Sequence, residues 1–267
     1  SVLYCNATPV ICEIKHDTWC IDENKIEELI SPKTKAIIPV HLYGQPCNMK
    51  KIMQISRNYN LLVIEDCAEA IGSQIENKIV GTFGDSATFS FFGNKTITTG
   101  EGGMVIFKNK EKFNKAKLLR DHGMSRNKKY WHEFVGFNYR MTNLQAAVGV
   151  AQMERFNEII SRKQEIFKFY YENLINFNGI YRLPMYSETD INSSWLFTLI
   201  IDPNLERDRI INEFHNLGIE LRPTFHSLSE MPPYKNYKHS ESLKNSFLLA
   251  RNGLSLPSSI TLTKLQL

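Results

Sequence analysis

The sequence predicts an α/β protein with a mostly parallel sheet, followed by a smaller α+β unit. Three observations carry that expectation. Between residues 35 and 107, short β-branched runs alternate with amphipathic stretches, strand then helix then strand within about 30 residues, which is the pattern of a parallel unit. From 142 to 176, apolar residues recur near helical spacing over a length that exceeds the width of a small domain. Beyond that stretch, strand and helix patterns alternate again over a shorter span.

In chain order, the turn Asn6-Ala7-Thr8-Pro9 leads into a short strand over 10–14. Residues 36–40 read as a strand, 49–59 as a helix with Ile52, Met53 and Ile55 inward, and 61–64 as a second, fully buried strand. Strands near 87–91 and 104–107 follow, then a lysine-rich helix over 110–121. Thr142-Asn143-Leu144-Gln145 fits a capping box, and Leu144, Val148, Ala151, Ile159, Ile166, Tyr170 and Leu174 continue it. A continuous helix of that length would be ~50 Å long, suited to joining two domains. A strand over 195–201, a helix over 205–217, a strand over 219–222 and a helix over 243–251 complete the pattern. The expected organisation is a large domain over 1–141, a connecting helix over 142–176 and a small domain over 177–267. The chain opens at Ser1 on what reads as the tail of an ordered element and closes on the start of a helical pattern, so it is expected to be part of a longer protein, incomplete at both ends.

Composition narrows the function classes. With 42% hydrophobic and 22% charged residues, the 267-residue chain can bury a sizeable core. Lys plus Arg (32) against Asp plus Glu (28) leaves +4 with the signs interspersed, which gives no argument for a nucleic-acid partner. No apolar run approaches the ~20 residues of a membrane span, and no signal-peptide pattern stands at the start, so no membrane partner is expected and a cytoplasmic protein is. The five cysteines contain no CxxC pair, which suggests reduced structural thiols and neither a disulfide framework nor a metal site.

The chemistry concentrates between residues 64 and 103. Glu65-Asp66 ends a buried strand, where open α/β sheets place their ligands. Asp66 could cap the following turn, or face a cationic ring nitrogen. Lys95 stands between the aromatic run Ser90-Phe91-Phe92 and the glycines 100, 102 and 103. It could be a solvated loop cation, or a desolvated amine, neutral and nucleophilic. Neither GxGxxG nor GxxxxGK[ST] is present, so neither a dinucleotide fold nor a P-loop is supported. His122 and His132 flank a polar loop and could face a ligand or be ordinary surface histidines; His41 follows a strand end and could line a cleft or pack. Trp195 and Phe197 alternate with Leu196 in strand fashion and read as core.

Four motifs in one order resemble the DegT/DnrJ/EryC1/StrS sugar aminotransferases. They are Val63-Ile64-Glu65-Asp66-Cys67-Ala68-Glu69-Ala70; Gly81-Thr82-Phe83-Gly84-Asp85; Ser90-Phe91-Phe92-Gly93-Asn94-Lys95 with Thr99-Gly100-Glu101-Gly102-Gly103; and Gly136-Phe137-Asn138-Tyr139-Arg140 running on to Ala147. The third motif looks most like the branch that forms perosamine and viosamine. The resemblance implies a pyridoxal-phosphate-dependent fold of the aspartate-aminotransferase type. It further implies amino transfer from L-glutamate to a nucleotide-linked 4-keto-6-deoxy sugar for glycan or O-antigen synthesis, with pyridoxamine phosphate as intermediate, by a homodimer with shared active sites.

Position by position, the resemblance makes Lys95 the lysine that carries the cofactor covalently and moves a proton, and Asp66 the carboxylate on the pyridine nitrogen. Ser90 matches the serine at the cofactor phosphate. Glu69 stands where many relatives carry Gln or His near the cofactor ring. Asn138 and Arg140 match a segment that reaches the other subunit's cofactor, with either one as the phosphate contact. Arg222 and His226, with Phe225, resemble a stretch near the nucleotide sugar, and His122 is a further substrate candidate. The family's phosphate-binding loop and helix start have no counterpart before Asp66, which leaves a non-catalytic fragment as one alternative. A sugar-dehydrating branch is another; it carries His where this chain has Lys95.

Overall fold

The computed structural model describes residues 1–185 and 190–267. The first ordered stretch differs from the strand expected over 10–14, since Ile11 and Ile14 make only isolated bridges to His239 and Ile21. Glu13 explains this. Its buried carboxylate accepts the backbone N–H groups of Asn245 and Ser246 (2.9 and 3.0 Å), so the segment caps a distant helix start and joins no sheet.

Strand β1 (Ala36–Ile37) is shorter than expected, since the chain passes through Pro39 and returns to the sheet only as a bridge from Val40 to Asp66. Helix α1 (Met49–Tyr59) is capped by the Asn48 side chain on Lys51 N–H and ended by Asn60 in the left-handed conformation. Eleven residues make a marginal helix alone. Met49, Ile52 and Ile55 are fully buried against β1 and β2 (Leu62–Asp66), at about 1.5–3 kcal/mol each, and that burial holds it. A small hairpin of β3 (Gln74–Ile75) and β4 (Lys78–Ile79) precedes β5 (Ser86–Ser90) and β6 (Gly103–Phe107). The sheet runs β1-β2-β5-β6, parallel across the first three strands and antiparallel between β5 and β6. Helix α2 (Lys110–Arg120) follows, capped by Asn109.

The expected single helix is two. α3 (Asn143–Glu154) begins in the capping box of Thr142 and Gln145, and α4 (Phe156–Leu174) follows after Arg155, whose φ of −100° and ψ of 9° leave the helical region. Apolar spacing continues across the break, but the two halves bury differently. α3 buries none of its residues, whereas α4 buries Ile159, Ile166, Phe167 and Tyr170, and Phe156 and Ile160 approach Gly72. Packing of α4 therefore sets its direction independently of α3.

The second sheet is antiparallel, ordered β7-β8-β10-β9. It comprises β7 (Ile180–Arg182), β8 (Phe197–Ile201), β9 (Arg222–Pro223) and β10 (Gly253–Leu256), with helices α5 (Arg207–Asn216) and α6 (Lys244–Asn252). β8 is buried on both faces: Phe197, Leu199 and Ile201 pack with α4, and Ile200 packs with Leu249 of α6. The strand expected over 219–222 is reduced to β9, while β7 and β10 had no expectation. Trp19, Tyr43 and Trp195 join Ile200 and Leu249 in a core cluster that links the two sheets.

Candidate active site

Between β5 and β6 the chain folds back on itself. Phe91 N–H donates to Gly102 O, Thr99 N–H to Phe91 O, and Lys95 N–H to Phe92 O (2.9, 2.9 and 3.0 Å). A Cβ on Gly102 would lie 2.4 Å from Thr99 Oγ1, so only glycine fits this close return. The loop delivers Lys95 inward: its side chain is 13% exposed, with Nζ 3.5 Å from Glu69 Oε1 and 3.9 Å from the centroid of the Trp195 ring. A solvated loop cation would have neither partner.

Glu69 follows β2, and its Oε2 accepts the backbone N–H of Tyr43 at 2.8 Å. Tyr43 adopts φ 55° and ψ 17°, a left-handed conformation that costs about 1–3 kcal/mol and aims this N–H at the carboxylate. Burial pushes the Glu69 carboxyl up, against the lowering by Tyr43 N–H and Lys95, and the charge of Asp66 pushes it further up. Asp66 ends β2 beside Thr88 of β5. Its Oδ1 accepts Ala68 N–H at 3.1 Å, which is the turn-capping role; among the described residues no hydrogen bond reaches Oδ2. Ser90, at the end of β5, accepts Phe92 N–H at 3.3 Å and keeps its hydroxyl hydrogen free to donate. Lys95, Glu69, Asp66 and Ser90 thus gather at the ends of two adjacent parallel strands.

Beneath them, Glu65 is fully buried. Gly81 N–H donates to Oε2, and Phe83 and Gly84 N–H to Oε1 (2.7, 2.8 and 2.6 Å). His41 Nδ1 accepts Cys47 N–H at 3.0 Å, which places the ring proton on Nε2, 3.2 Å from Glu65 Oε2. Burial pushes the Glu65 carboxyl up, but these hydrogen bonds outweigh it and hold it low. Cys67 joins His41 and Glu65 as a trio of ligand-type atoms within 4.8 Å of one another. Glu65 and His41 already use their atoms in hydrogen bonds, and burial pushes the Cys67 thiol up, so the trio fits a rigid support better than a cation site.

The remaining candidates stand outside this cluster. Asn138 bridges to Asp121, and Arg140, 62% exposed, pairs with the same Asp121 at 3.3 Å. His122 donates its N–H to Phe137 O and accepts from His132 Nδ1 through its carbonyl. Arg222 is exposed and paired with Glu220, and His226 is exposed. Their neighbour Phe225 stacks on Tyr43 (5.6 Å, 5°), and Tyr43 stacks on Trp195 (6.2 Å, 13°), so a column of rings runs from that stretch to Lys95. Trp195, read as core, is core and also the ring under the Lys95 ammonium. Strand alternation could mark its burial but not the lysine 100 positions away. No local sequence signal marks Tyr43 or Lys163 of α4, whose partners lie 26 to 95 positions away.

The donor set suits pyridoxal phosphate: an amine largely removed from water, a strand-end carboxylate oxygen that no described residue hydrogen-bonds, and a serine hydroxyl beside it. Comparison with known proteins agrees. The chain is 45% identical over 266 residues to a GDP-perosamine synthase of Caulobacter vibrioides, covering 99% of this chain and 71% of that protein. It is 40% identical to the GDP-perosamine synthase of Vibrio cholerae, covering 97% and 70%. Among solved structures, Helicobacter pylori PseC, an aminotransferase of pseudaminic acid biosynthesis, superposes with a TM-score of 0.91 at 27% identity, covering 99% of this chain and 72% of that one. The S. venezuelae DesV structure superposes with a TM-score of 0.89 at 31% identity, covering 97% and 69%. The sequence profile of the DegT/DnrJ/EryC1/StrS aminotransferases matches residues 1–267, and the chain belongs to that family.

Proposed function

We infer that this chain is a pyridoxal-phosphate-dependent sugar-nucleotide aminotransferase of the perosamine-forming kind, taking its amino group from L-glutamate and delivering it to a nucleotide-linked 4-keto-6-deoxy sugar. The carrying observation is the placement of the Lys95 amine against Glu69, with Asp66 on the strand end beside them. The cofactor, when bound, supplies an aldehyde for the amine and a ring that accepts the electrons released when a substrate proton leaves. Lys95 holds it covalently and moves a proton at Nζ. Asp66 would face the ring nitrogen and hold it protonated by opposite charge. Ser90 donates to the phosphate, and Glu69 closes the site beside the amine.

On this reading, residues 1–141 bind the cofactor, 142–176 connect, and 177–267 form the small domain whose Arg222 and His226 face the nucleotide sugar. Two copies complete each other's sites, with Asn138 and Arg140 directed to the partner's cofactor. The apolar exposure of α3 (Leu144 82%, Val150 59%) and of Val135 (94%) supports such pairing. A cytoplasmic location accords with the substrates, and among the described residues no helix is long and apolar enough to cross a membrane.

The test is amino transfer from L-glutamate to a panel of GDP-, dTDP- and UDP-linked 4-keto sugars. The native protein aminates at least one, and Lys95→Ala aminates none and loses the visible absorbance of the bound cofactor. Full activity in Lys95→Ala eliminates the assignment.

A further inference from the structure

The Lys95 amine is bounded by groups from distant parts of the chain. Glu69 lies on one approach; on another lies Trp195, at the entry to β8. Trp195 is held from several directions. Its indole Nε1–H donates to the carbonyl of Asn94, the residue before Lys95, at 2.7 Å. Its own carbonyl accepts from Lys163 Nζ at 2.9 Å, and that amine also donates to Ser258 O at 2.5 Å. Its ring stacks on Tyr43, whose N–H holds Glu69. Lys163 is 8% exposed, with backbone carbonyls as its hydrogen-bond partners, and burial lowers it to about 8. A buried amine costs stability unless it is hydrogen-bonded, and here its hydrogen bonds fix the backbone that carries the indole.

We propose that Trp195 is a positioning residue for Lys95: its indole face, anchored by Lys163 from α4 and by Asn94, holds the amine beside Glu69, so that the small sheet sets the place of the reactive lysine. This rests on the assignment of Lys95 as the cofactor-bearing lysine. An aromatic face attracts the ammonium and not the neutral amine, most strongly when the ring is indole. Glu69 faces the same amine at 3.5 Å, and the charge of Asp66 acts on Glu69 from beyond it.

The experiment is the pH dependence of Lys95 acylation by acetic anhydride in the protein freed of cofactor, read by peptide mass spectrometry with exposed Lys168 as internal standard. The protonation midpoint of Lys95 falls in the order native, Trp195→Phe, Trp195→Leu, with the full step about half to one pH unit. Lys163→Met moves it in the same direction by less, while Lys168 stays put in every variant. Any of these variants that folds is decisive, and Trp195→Phe, which keeps a ring, is the mildest. Superimposed Lys95 titrations overturn the proposal. Because no cofactor is present, this outcome is separate from that of the amino-transfer assay: a shifted titration with an inactive native protein would leave the contact standing and remove only the assigned reaction.

Discussion

Glu69 and Glu65 lie four residues apart, and their protonation is driven in opposite directions. Glu69 is pushed up mainly by burial, so its carboxyl favours the protonated form more strongly in the folded chain than in the unfolded one. The stability it contributes is present below the ordinary carboxylate range and is lost as pH rises through its raised value. Glu69→Gln is therefore expected to equal or exceed the native protein in thermal stability at neutral pH, with the difference shrinking on acidification; thermal melts across pH 4 to 8 check this. Glu65 is held low by His41 and the N–H groups of Gly81 and Gly84, so its contribution is present above the ordinary carboxylate range and lost as pH falls. Glu65→Ala strands the buried N–H donors of Gly81 and Gly84, the half-buried one of Phe83 and the His41 ring, and is expected to cost about 3–5 kcal/mol in denaturant unfolding. Asp66 was legible as a strand-end carboxylate with two possible roles, and it performs the capping one, while no described residue hydrogen-bonds its second oxygen. The role of Glu65 was not legible, because its partners come from a loop 16 to 19 residues onward whose turn only the folded chain reveals.

At the scale of elements, α4 is the piece that carries both packing and site support. Lys163 has its folded value lowered to about 8, below its ordinary 10.5, so the unfolded chain binds the proton more tightly. Stability from this group is expected to rise with pH between about 8 and 10.5. Lys163→Met removes that rise, which urea unfolding at pH 7.5 and pH 10 compares directly. Local signals placed α1 and the start of α3 well, since a cap and a run of apolar residues are written within a few positions of each other. The break at Arg155 was not written locally: apolar period continues through it, and the break coincides with the approach of Phe156 and Ile160 to the Gly72 turn. β10 was missed because its serine and glycine suit a strand poorly until β8 and β9 flank it.

Across the whole molecule, two sheets meet at the cluster of Trp19, Tyr43 and Trp195, so the lysine of one and the ring of the other form a single site. Four ordered motifs made the family readable before any fold was known, whereas the meeting of Lys95 with Trp195 depends on how the sheets dock. The exposed apolar face of α3 has a consequence at this scale. On the pairing proposed above, Leu144→Glu converts a dimer to a monomer in sedimentation velocity and reduces amino transfer by at least tenfold, because Asn138 and Arg140 would then lose the partner site assigned to them; a monomeric native protein with full activity would contradict shared sites. The most direct measurement of the central claim is borohydride reduction of the protein with pyridoxal phosphate, followed by peptide mapping. The assignment of Lys95 as the cofactor-bearing residue requires one stable pyridoxyl group per chain, on Lys95, and none in Lys95→Ala. A label on another lysine, or none at all in the native protein, contradicts it.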